Sequence, residues 1–457
     1  MAKYEKYAEY QDSGLEWLGS IPSHWEVWKL NHFAPIITCG VAATPEYKNE
    51  GIPFLSAQNV KKKKVDLTKG YKFISQEKHN ELTRNRKPQK GDILLSRVGT
   101  IGEGCIIDVD FEFSIFVSLT HLRLIQLVCV NEFFIYLTES SYVKALHGAV
   151  TLVGGGVGNL NVNDLREYLL PIPQLSEQQS IVNFLDHETA KIETLIAKQE
   201  KLIELLKEKR QAVISHAVTK GLNPDVSMKD SGVEWLGEVP EHWTVKPNKY
   251  LLDFVTSGSR GWAQYYADTG SLFFRIANLT RDTIEPKLES LQFVEPPQGS
   301  EGERSKIKVG DLLISITADL GSVCVADTSI GNGYVSQHIA LCRPQKLYDS
   351  RWLAYYILSD TAKEQLLGSG YGGTKIQLSL EDIKELVVVV PSQEEQREIA
   401  NYIDDKLNQF EHLINQAYKF VGTLRERRIA LISSAVTGKI DVRNWQHPNE
   451  AKTGISS

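Results

Sequence analysis

The side chains that could do catalytic chemistry do not form any established catalytic motif in this sequence. It contains no Asn/Asp-Pro-Pro-Tyr/Phe, Gly-x4-Gly-Lys-Ser/Thr, His-Glu-x-x-His or Gly-x-Ser-x-Gly segment. The histidines that recur in a motif, His24 and His242, each precede a tryptophan in a proline turn, which favours packing over catalysis. The sequence therefore indicates a binding protein rather than an enzyme.

Cationic side chains are concentrated in two short stretches. Lys61–Lys64 form an unbroken basic run in "NVKKKKVDL", and Arg84, Arg86, Lys87 and Lys90 form a second cluster. Such side chains suit contacts with phosphate. A lysine run in a turn is equally consistent with a solvated surface, so both interpretations stay open.

Composition limits the class of protein. The chain has 457 residues, 42% hydrophobic content and a formal charge of −6, so no overall basic charge indicates a polyanion partner. Five scattered cysteines without metal-ligand spacing are typical of reduced, buried thiols in a cytoplasmic protein. The polar N-terminus predicts no signal peptide, and no apolar stretch approaches the length of a membrane span.

The positioning of these residues depends on a long internal repeat. "DSGLEWLGSIPSHWEV" from Asp12 returns as "DSGVEWLGEVPEHWTV" from Asp230, an offset of 218 residues. "GDILLSRVGTIG" from Gly91 returns from Gly310 as "GDLLISITADLG", and "VSLTHLRL" resembles "VSQHIALC" with an offset of 218. The chain is therefore one domain-sized unit duplicated.

The first part of each copy reads as a mixed α+β module. "GDILLSRV" followed by "GTIGEG" and "CIIDV" predicts a β-hairpin, and "IPFLSAQNV" and "SLFFRIANL" predict further strands. "EFFIYLTESSYVKALHG" and "RWLAYYILSDTAKEQLLGSG" have helical spacing and end in glycine.

The second part of each copy predicts a long helix with a heptad pattern. The segment 176–219 contains neither proline nor glycine, and its apolar rows, like those of the second copy, are interrupted at matching places. Two separate amphipathic helices are the alternative. The predicted coiled-coil positions are Leu185, Ile192, Leu195, Leu202, Leu206, Val213, Ile403, Phe410, Leu413, Phe420, Leu424 and Leu431.

Chain connectivity favours antiparallel helices. A helix of about 42 residues is roughly 63 Å long, and a parallel pair would force the second module to span that distance between its termini. An antiparallel pair keeps those termini close, as is common for domains. We therefore expect an α+β protein with two similar modules at opposite ends of a two-helix coiled coil, related by a pseudo-two-fold axis. The expected boundaries are 1–173, 174–220, 221–391, 392–440 and a tail at 441–457.

These elements resemble the specificity subunit of type I restriction-modification systems over essentially the full length. The resemblance rests on "DSGVEWLGEVPEHW", the "GDILLSR" hairpin, the "EQ..I..FLD" helix starts and the "LKEKRQAVISHAVTKGL" helix end. It implies two target recognition domains that each read one half of a bipartite double-stranded DNA sequence, with the helices as a spacer. It also implies docking of two methyltransferase subunits that use S-adenosylmethionine, and of restriction subunits, with no cofactor in this chain.

The resemblance gives the polar loops a role in DNA binding. Asn59 and Asn278 occupy matching positions and could read adenine, although capping a turn is the favoured interpretation. Arg97 is either a base reader or part of a salt bridge. In the second copy "TSGSRGWAQYY" takes the place of "TCGVAATPEY", and "VGGGVGN" and "GYGGTK" suit close approach to phosphate. The DNA-binding candidates are Asn59, Lys61, Lys62, Lys63, Lys64, Arg84, Arg86, Lys87, Arg97, Gly155, Gly156, Ser257, Arg260, Trp262, Gln264, Arg275, Asn278, Gly372, Gly373, Thr374 and Lys375.

Two other functions stay open at this point. A coiled-coil scaffold that organises proteins without binding DNA fits the modest net charge, and a tandem RNA-binding module is a weaker alternative. The tryptophans of the two "WLG" motifs invite a base-stacking interpretation, but their repetition beside proline favours a structural clasp between helix and module.

Overall fold

A computed structural model describes residues 4–61, 63–151, 158–258, 260–296, 299–368 and 377–448. The chain divides into two compact units, residues 1–199 with 419–457 and residues 200–418. Within the described ranges no helix is long and apolar enough to cross a membrane. The same ranges hold no group of histidine, cysteine, aspartate or glutamate side chains suited to a metal ion.

The first unit begins with short strands and helices. In chain order the strands are β1 (Tyr10–Asp12), β2 (Ser20–Pro22), β3 (Glu26–Lys29), β4 (Ile36–Cys39), β5 (Ile52–Leu55), β6 (Val60–Lys61), β7 (Lys64–Val65), β8 (Lys72–Ile74), β9 (Ile93–Ser96), β10 (Gly104–Ile106), β11 (Ser114–Ile115), β12 (Leu119–Arg123) and β13 (Leu169–Ile172). The helices are α1 (Leu30–Phe33), α2 (Gln76–Thr83), α3 (Asn131–Glu139), α4 (Ser141–Thr151) and α5 (Val162–Arg166), followed by the long α6 (Leu175–Lys220).

The second unit repeats this order. Its strands are β14 (Met228–Asp230), β15 (Glu238–Pro240), β16 (Thr244–Pro247), β17 (Leu252–Ser257), β18 (Tyr266–Ala267), β19 (Ser271–Phe274), β20 (Phe293–Val294), β21 (Leu312–Ser315), β22 (Val323–Val325), β23 (Tyr334–Val335), β24 (Ile339–Pro344) and β25 (Val387–Val390). Its helices are α7 (Ser300–Ser305), α8 (Ser350–Leu358), α9 (Asp360–Leu367) and α10 (Leu380–Glu385), followed by the long α11 (Gln393–Val436).

Equivalent sheets organise both units. An antiparallel sheet of order β10-β9-β12-β4 in the first unit matches β22-β21-β24-β17 in the second. A second sheet pairs β5 in parallel with β11, and β19 pairs in the same way with β23. The predicted hairpin is confirmed, because β9 and β10 pair antiparallel. Its strand β9 is buried throughout, as a central strand between two neighbours should be.

The two stretches with helical spacing each form two helices instead of one. Ser140 separates α3 from α4, and Ser359 separates α8 from α9, both in an extended conformation. The Ser359 hydroxyl accepts a hydrogen bond from the amide of Ala362 and so caps the second helix. Serine at this point competes with the helical backbone bonds, and the new helix starts there.

Both long helices form, and each unit contains a part of both. In the first unit, residues of α6 up to Ile192 share one apolar core with Leu424 and Leu431 of α11. In the second unit, Ile203 of α6 packs with Ile414 and Ala417 of α11. The start of each helix therefore packs with the end of the other, which confirms the antiparallel coiled coil.

One row of the predicted coiled-coil seam is wrong by one position. Leu195, Leu202, Leu413 and Phe420 are between 42% and 46% exposed, so they are not seam residues. The buried positions lie one residue further along, and they include Ile203, Ile414 and Val421. Apolar residues occupy both the predicted row and the row one residue further along. The sequence pattern alone therefore did not show which of the two rows faces the other helix.

The corrected row is interrupted by arginine in both helices. Arg210 binds Asp282 within the second unit, and Arg428 binds Glu139 at 2.9 Å within the first. Instead of packing between the two helices, these arginine side chains form ion pairs with the globular part of their own unit.

The repeated sixteen-residue segment holds the start of a long helix in each unit. In the first unit, the Trp25 indole donates to Glu177 at 3.1 Å and His24 contacts the same carboxylate at 2.8 Å. In the second, Trp243 and His242 bind Glu395 at the same two distances. The clasp is therefore made by the His-Trp pairs.

The tryptophans of the "WLG" motifs do not form the buried clasp that the sequence predicted. Trp17 is 47% exposed and stacks on Tyr142 with ring centroids 4.2 Å apart, and Trp235 is 38% exposed. Trp25 and Trp243 are both 1% exposed, so burial separates the two kinds of tryptophan.

The same segment also receives the end of the other long helix. Gly438, after α11, has φ +70° and lies so close to Pro22 that a Cβ atom there would be 2.2 Å from the ring. Gly221, after α6, has φ +79° and packs against Trp243. Only glycine combines this backbone conformation with such close approach. Each module thus binds the start of the long helix that follows it and the end of the other long helix.

Candidate nucleic-acid interface

The first unit has a cleft of about 460 Å³ that brings part of the predicted basic cluster together with a loop. This first cleft is lined mainly by residues 38–41 after β4, residues 81–86 after α2, and the start of β11. Arg84 and Arg86 are exposed on it. Its carboxylate, Glu81, is bound by Lys78 at 2.7 Å, so the two arginines keep an excess of positive charge.

Lys87, the third member of that cluster, does not line the first cleft and forms an ion pair instead. Its ammonium binds Glu112, and this hydrogen bond lowers the pKa of the Glu112 carboxyl. The neighbouring Lys90 binds Asp110 at 2.6 Å. The prediction of a four-residue basic surface is therefore reduced to its two arginines.

The second unit has a cleft of about 350 Å³, formed by segments that are not the equivalents of those lining the first cleft. This second cleft is lined by residues 261–266, by residues 273–277 at the end of β19, and by residues 336–338 between β23 and β24. It contains Trp262 and Arg275, which the sequence predicted, and Ser336, Gln337 and His338, which it did not. No carboxylate is among the described residues that line it.

Hydrogen-bonding capacity is left over in the second cleft. The Ser336 hydroxyl, on a residue that is 5% exposed, and Arg275 Nε are buried without a hydrogen-bond partner among the described residues. His338 Nδ1 lies 3.2 Å from the Thr317 hydroxyl, and Arg275 NH2 reaches the Ser290 hydroxyl only at 3.5 Å. Buried polar atoms are nearly always paired, so the second cleft offers two polar atoms that a polar ligand or a water molecule can satisfy.

The backbone that carries these residues is the same in both units. The amide of Phe116 donates to the carbonyl of Leu55 at 2.8 Å, and the amide of Ser336 donates to that of Phe274 at 2.9 Å. The turn at Asn59 likewise has its counterpart at Asn278. The equivalent side chains differ, and the pairs are Ser56 with Arg275, Phe116 with Ser336, Val117 with Gln337, and Ser118 with His338.

Strand register explains why the sequence missed three of these residues. Leu119 pairs with Ser96 and Ile339 pairs with Ser315, so the two copies align here with an offset of 220. With the offset of 218 residues that relates "VSLTHLRL" to "VSQHIALC", Ser118 is matched with Ser336 instead of with His338. Counting from the β9 and β21 strands would have revealed the difference.

Asn59 and Asn278 are structural residues, and their candidacy as base readers is wrong. Asn278 is fully buried, and its Oδ1 accepts from the amide of Arg275 at 3.0 Å. Its Nδ2 donates to the carbonyls of Lys287 and Ser290, each at 2.9 Å. Asn59 makes the equivalent three bonds, so both amides hold a turn, as the favoured interpretation expected.

Arg97 and Lys63 are also engaged inside the first unit. Arg97 is 7% exposed and donates to the carbonyls of Leu160 and Val117, so it does not face a base, and it forms no salt bridge with any described residue. Lys63, with φ +64°, places its ammonium 3.2 Å above the ring of Tyr136. Burial lowers the pKa of Lys63, and a lysine held in this way does not face a phosphate.

The other candidates remain accessible or lie outside the described residues. Lys61 and Lys64 are exposed on the β6–β7 hairpin, Arg260 and Gln264 are exposed, and Ser257 is half-buried at the end of β17. Trp262 is 3% exposed and stacks on Phe273, so it shapes the second cleft by packing. The candidates outside the described residues are Lys62, Gly155, Gly156, Gly372, Gly373, Thr374 and Lys375.

Sequence comparison connects this architecture with a family. The family described as type I restriction modification DNA specificity domain matches residues 22–205 and 298–418. The specificity subunit of the type I restriction enzyme EcoBI from Escherichia coli is 25% identical over 84% of this chain and 86% of its own length. That of MjaIX from Methanocaldococcus jannaschii is 23% identical over 97% of this chain and 99% of its own length.

Solved structures share the fold. A chain from work on complex assembly and conformational transition of the type I R-M system has a TM-score of 0.67 and 17% identity, over 91% of this chain and 98% of that chain. The HsdS subunit from Thermoanaerobacter tengcongensis has a TM-score of 0.52 and 18% identity, over 92% of this chain and 98% of that chain.

Proposed function

The chain belongs to the type I restriction modification DNA specificity family, and from this premise we propose that each unit reads one half of a bipartite duplex. The chain is the DNA-recognition subunit of a restriction-modification complex, and catalysis belongs to its partner subunits. The first cleft serves one half-site and the second cleft serves the other.

One observation carries the proposal. The backbone hydrogen bonds around the second cleft recur at the equivalent positions of the first unit, but the side chains there differ, as with Ser56 and Arg275. A scaffold that only organises proteins has no need for such local divergence. Two readers of different half-sites require it, because base edges are distinguished by the type and position of donors and acceptors.

Local charge supports contact with DNA despite the acidic chain. The net charge is −6, yet the second cleft has no carboxylate among its described lining residues, and Arg84 and Arg86 are exposed on the first. The exposed Lys61, Lys64 and Arg260 are placed on loops where they can bind phosphate. These contacts position the duplex and carry no sequence information.

The long helices have two proposed roles. Each runs without a break through both units, which suits a spacer that fixes the number of base pairs between half-sites. The exposed apolar side chains Leu195, Leu202, Leu413 and Phe420 suit docking of a partner protein. We assign this surface to methyltransferase subunits that bring S-adenosylmethionine, with restriction subunits as further partners.

Replacement of one module tests the proposal. Residues 12–172 are exchanged for the module of a relative with a different half-site, and the chain is assembled with its methyltransferase partner. Selection from random duplexes should then show one changed half-site and one unchanged half-site. A change in both, or in neither, contradicts separate reading, and a wild-type complex without any sequence preference would support the scaffold function instead.

A further inference from the structure

The second cleft has a donor-rich lining that limits the base it can read. Arg275 carries only donors and the Ser336 hydroxyl can donate, while Gln337 Nε2 lies 3.1 Å from His338 Nε2. Two of these donor atoms, Arg275 Nε and the Ser336 hydroxyl, are buried without a partner among the described residues. The lining therefore matches a base edge that presents acceptors.

Guanine presents that edge in the major groove. Its N7 and O6 atoms are both acceptors, whereas thymine presents one acceptor beside a methyl group, cytosine presents a donor, and adenine presents one donor beside one acceptor. A site for cytosine would use a carboxylate, and none is among the described lining residues. Arginine is the side chain that most often pairs with guanine.

The support around Arg275 fits a side chain held in place for recognition. Its backbone amide is fixed by Asn278, so the residue starts from a rigid turn. Arg275 lines the cleft together with Trp262 and Phe273, whose rings stack with centroids 5.7 Å apart. Rigid backbone and aromatic walls reduce the rotamer entropy lost when the guanidinium binds.

We propose that the second cleft reads a guanine in the major groove of its half-site, with Arg275 on the base edge and Gln337 and His338 beside it. This inference rests on the proposed function and deepens it. The first unit has Ser56 in place of Arg275, so its half-site is read without this contact. Arg275 is thus a specificity-determining residue of one unit only.

The test compares Arg275→Gln with Arg260→Gln in the full chain assembled with its methyltransferase partner. Arg260 is an exposed arginine near the same cleft and serves as the matched control. Affinities are measured for duplexes that carry each of the four bases at every position, over a range of salt concentrations. Arg275→Gln should lose at least tenfold of the guanine preference at one position and leave the other half-site unchanged.

The outcomes separate base reading from phosphate binding. Arg260→Gln should weaken binding equally for all sequences and reduce the salt slope by about one. If Arg275→Gln behaves like Arg260→Gln, or leaves every base preference intact, the guanine assignment is wrong while bipartite recognition stands. A wild-type complex with no base preference would instead overturn the proposed function itself.

Discussion

The buried amides of Asn59 and Asn278 show that a side chain suited to reading adenine can serve the fold instead. Each makes three hydrogen bonds to the backbone around a turn, with no polar atom left for a base. Asparagine has the same donors and acceptors in either role, so the sequence alone does not distinguish them. Burial decides the question.

The first prediction follows from those bonds. Asn59→Ala should lower the free energy of unfolding by about 1–3 kcal/mol, because buried backbone groups lose their partners. The matched control is the adjacent Gln58→Ala, which removes one bond from an exposed side chain and should change it by less than about 0.5 kcal/mol. Urea unfolding measures both. If Asn59→Ala kept its stability but changed its base preference, Asn59 would be a base-reading residue after all.

The candidate site could be predicted in part from the residues. Arg84, Arg86, Trp262 and Arg275 lie in the two clefts, as loops of mixed polar and basic residues suggested. Residues 336–338 were missed because the second copy has one more residue between β22 and β23 than the first has between β10 and β11, which makes the offset 220 from β23 onward. Such a shift is visible only in strand pairing, where each residue has a defined partner.

At the scale of elements, the long helices were predictable and the face of their contact was not. Their length follows from the absence of proline in both, from the absence of glycine in α6, and from the repeated apolar rows. The seam itself is set by tertiary contacts, since Arg210 and Arg428 leave it to bind acidic residues of their own units. When a heptad pattern has apolar residues on two adjacent rows, tertiary packing determines which row forms the contact between the helices.

The clasp at the start of α11 gives a pH-dependent prediction. Partial burial would raise the pKa of Glu395, but hydrogen bonds from His242, Ser392 and Trp243 outweigh it and lower the pKa to about 2. A carboxylate with a lowered pKa contributes stability above its ordinary value near 4.5, and that contribution is lost as the pH falls toward 2. Acid should therefore loosen the helix start.

Glu395→Gln tests this directly. The variant should be less stable than the wild type at pH 7, and the difference should shrink as the pH falls from about 4.5 to about 2. Glu394→Gln, at the neighbouring exposed position, is the control and should follow the wild type. Thermal unfolding at several pH values measures both. A difference that is independent of pH would show that the clasp does not depend on the carboxylate charge.

At the scale of the whole molecule, the repeat is joined through the ends of the long helices. Each module binds the start of its following helix through Glu177 or Glu395, and each receives the end of the other helix at Gly438 or Gly221. The sixteen-residue segment occurs twice because each module needs the same two connections.

The dependence of binding on the gap between half-sites tests the central claim most directly. Affinity of the assembled complex is measured for duplexes that carry both half-sites with gaps changed one base pair at a time. We predict one sharp optimum. Insertion of seven residues into both helices, after Gln199 and after Ala417, keeps the heptad register and adds about 10 Å, so the optimum should lengthen by roughly three base pairs with both half-sites unchanged. Affinity that is indifferent to the gap, or an optimum that does not move, would contradict the account.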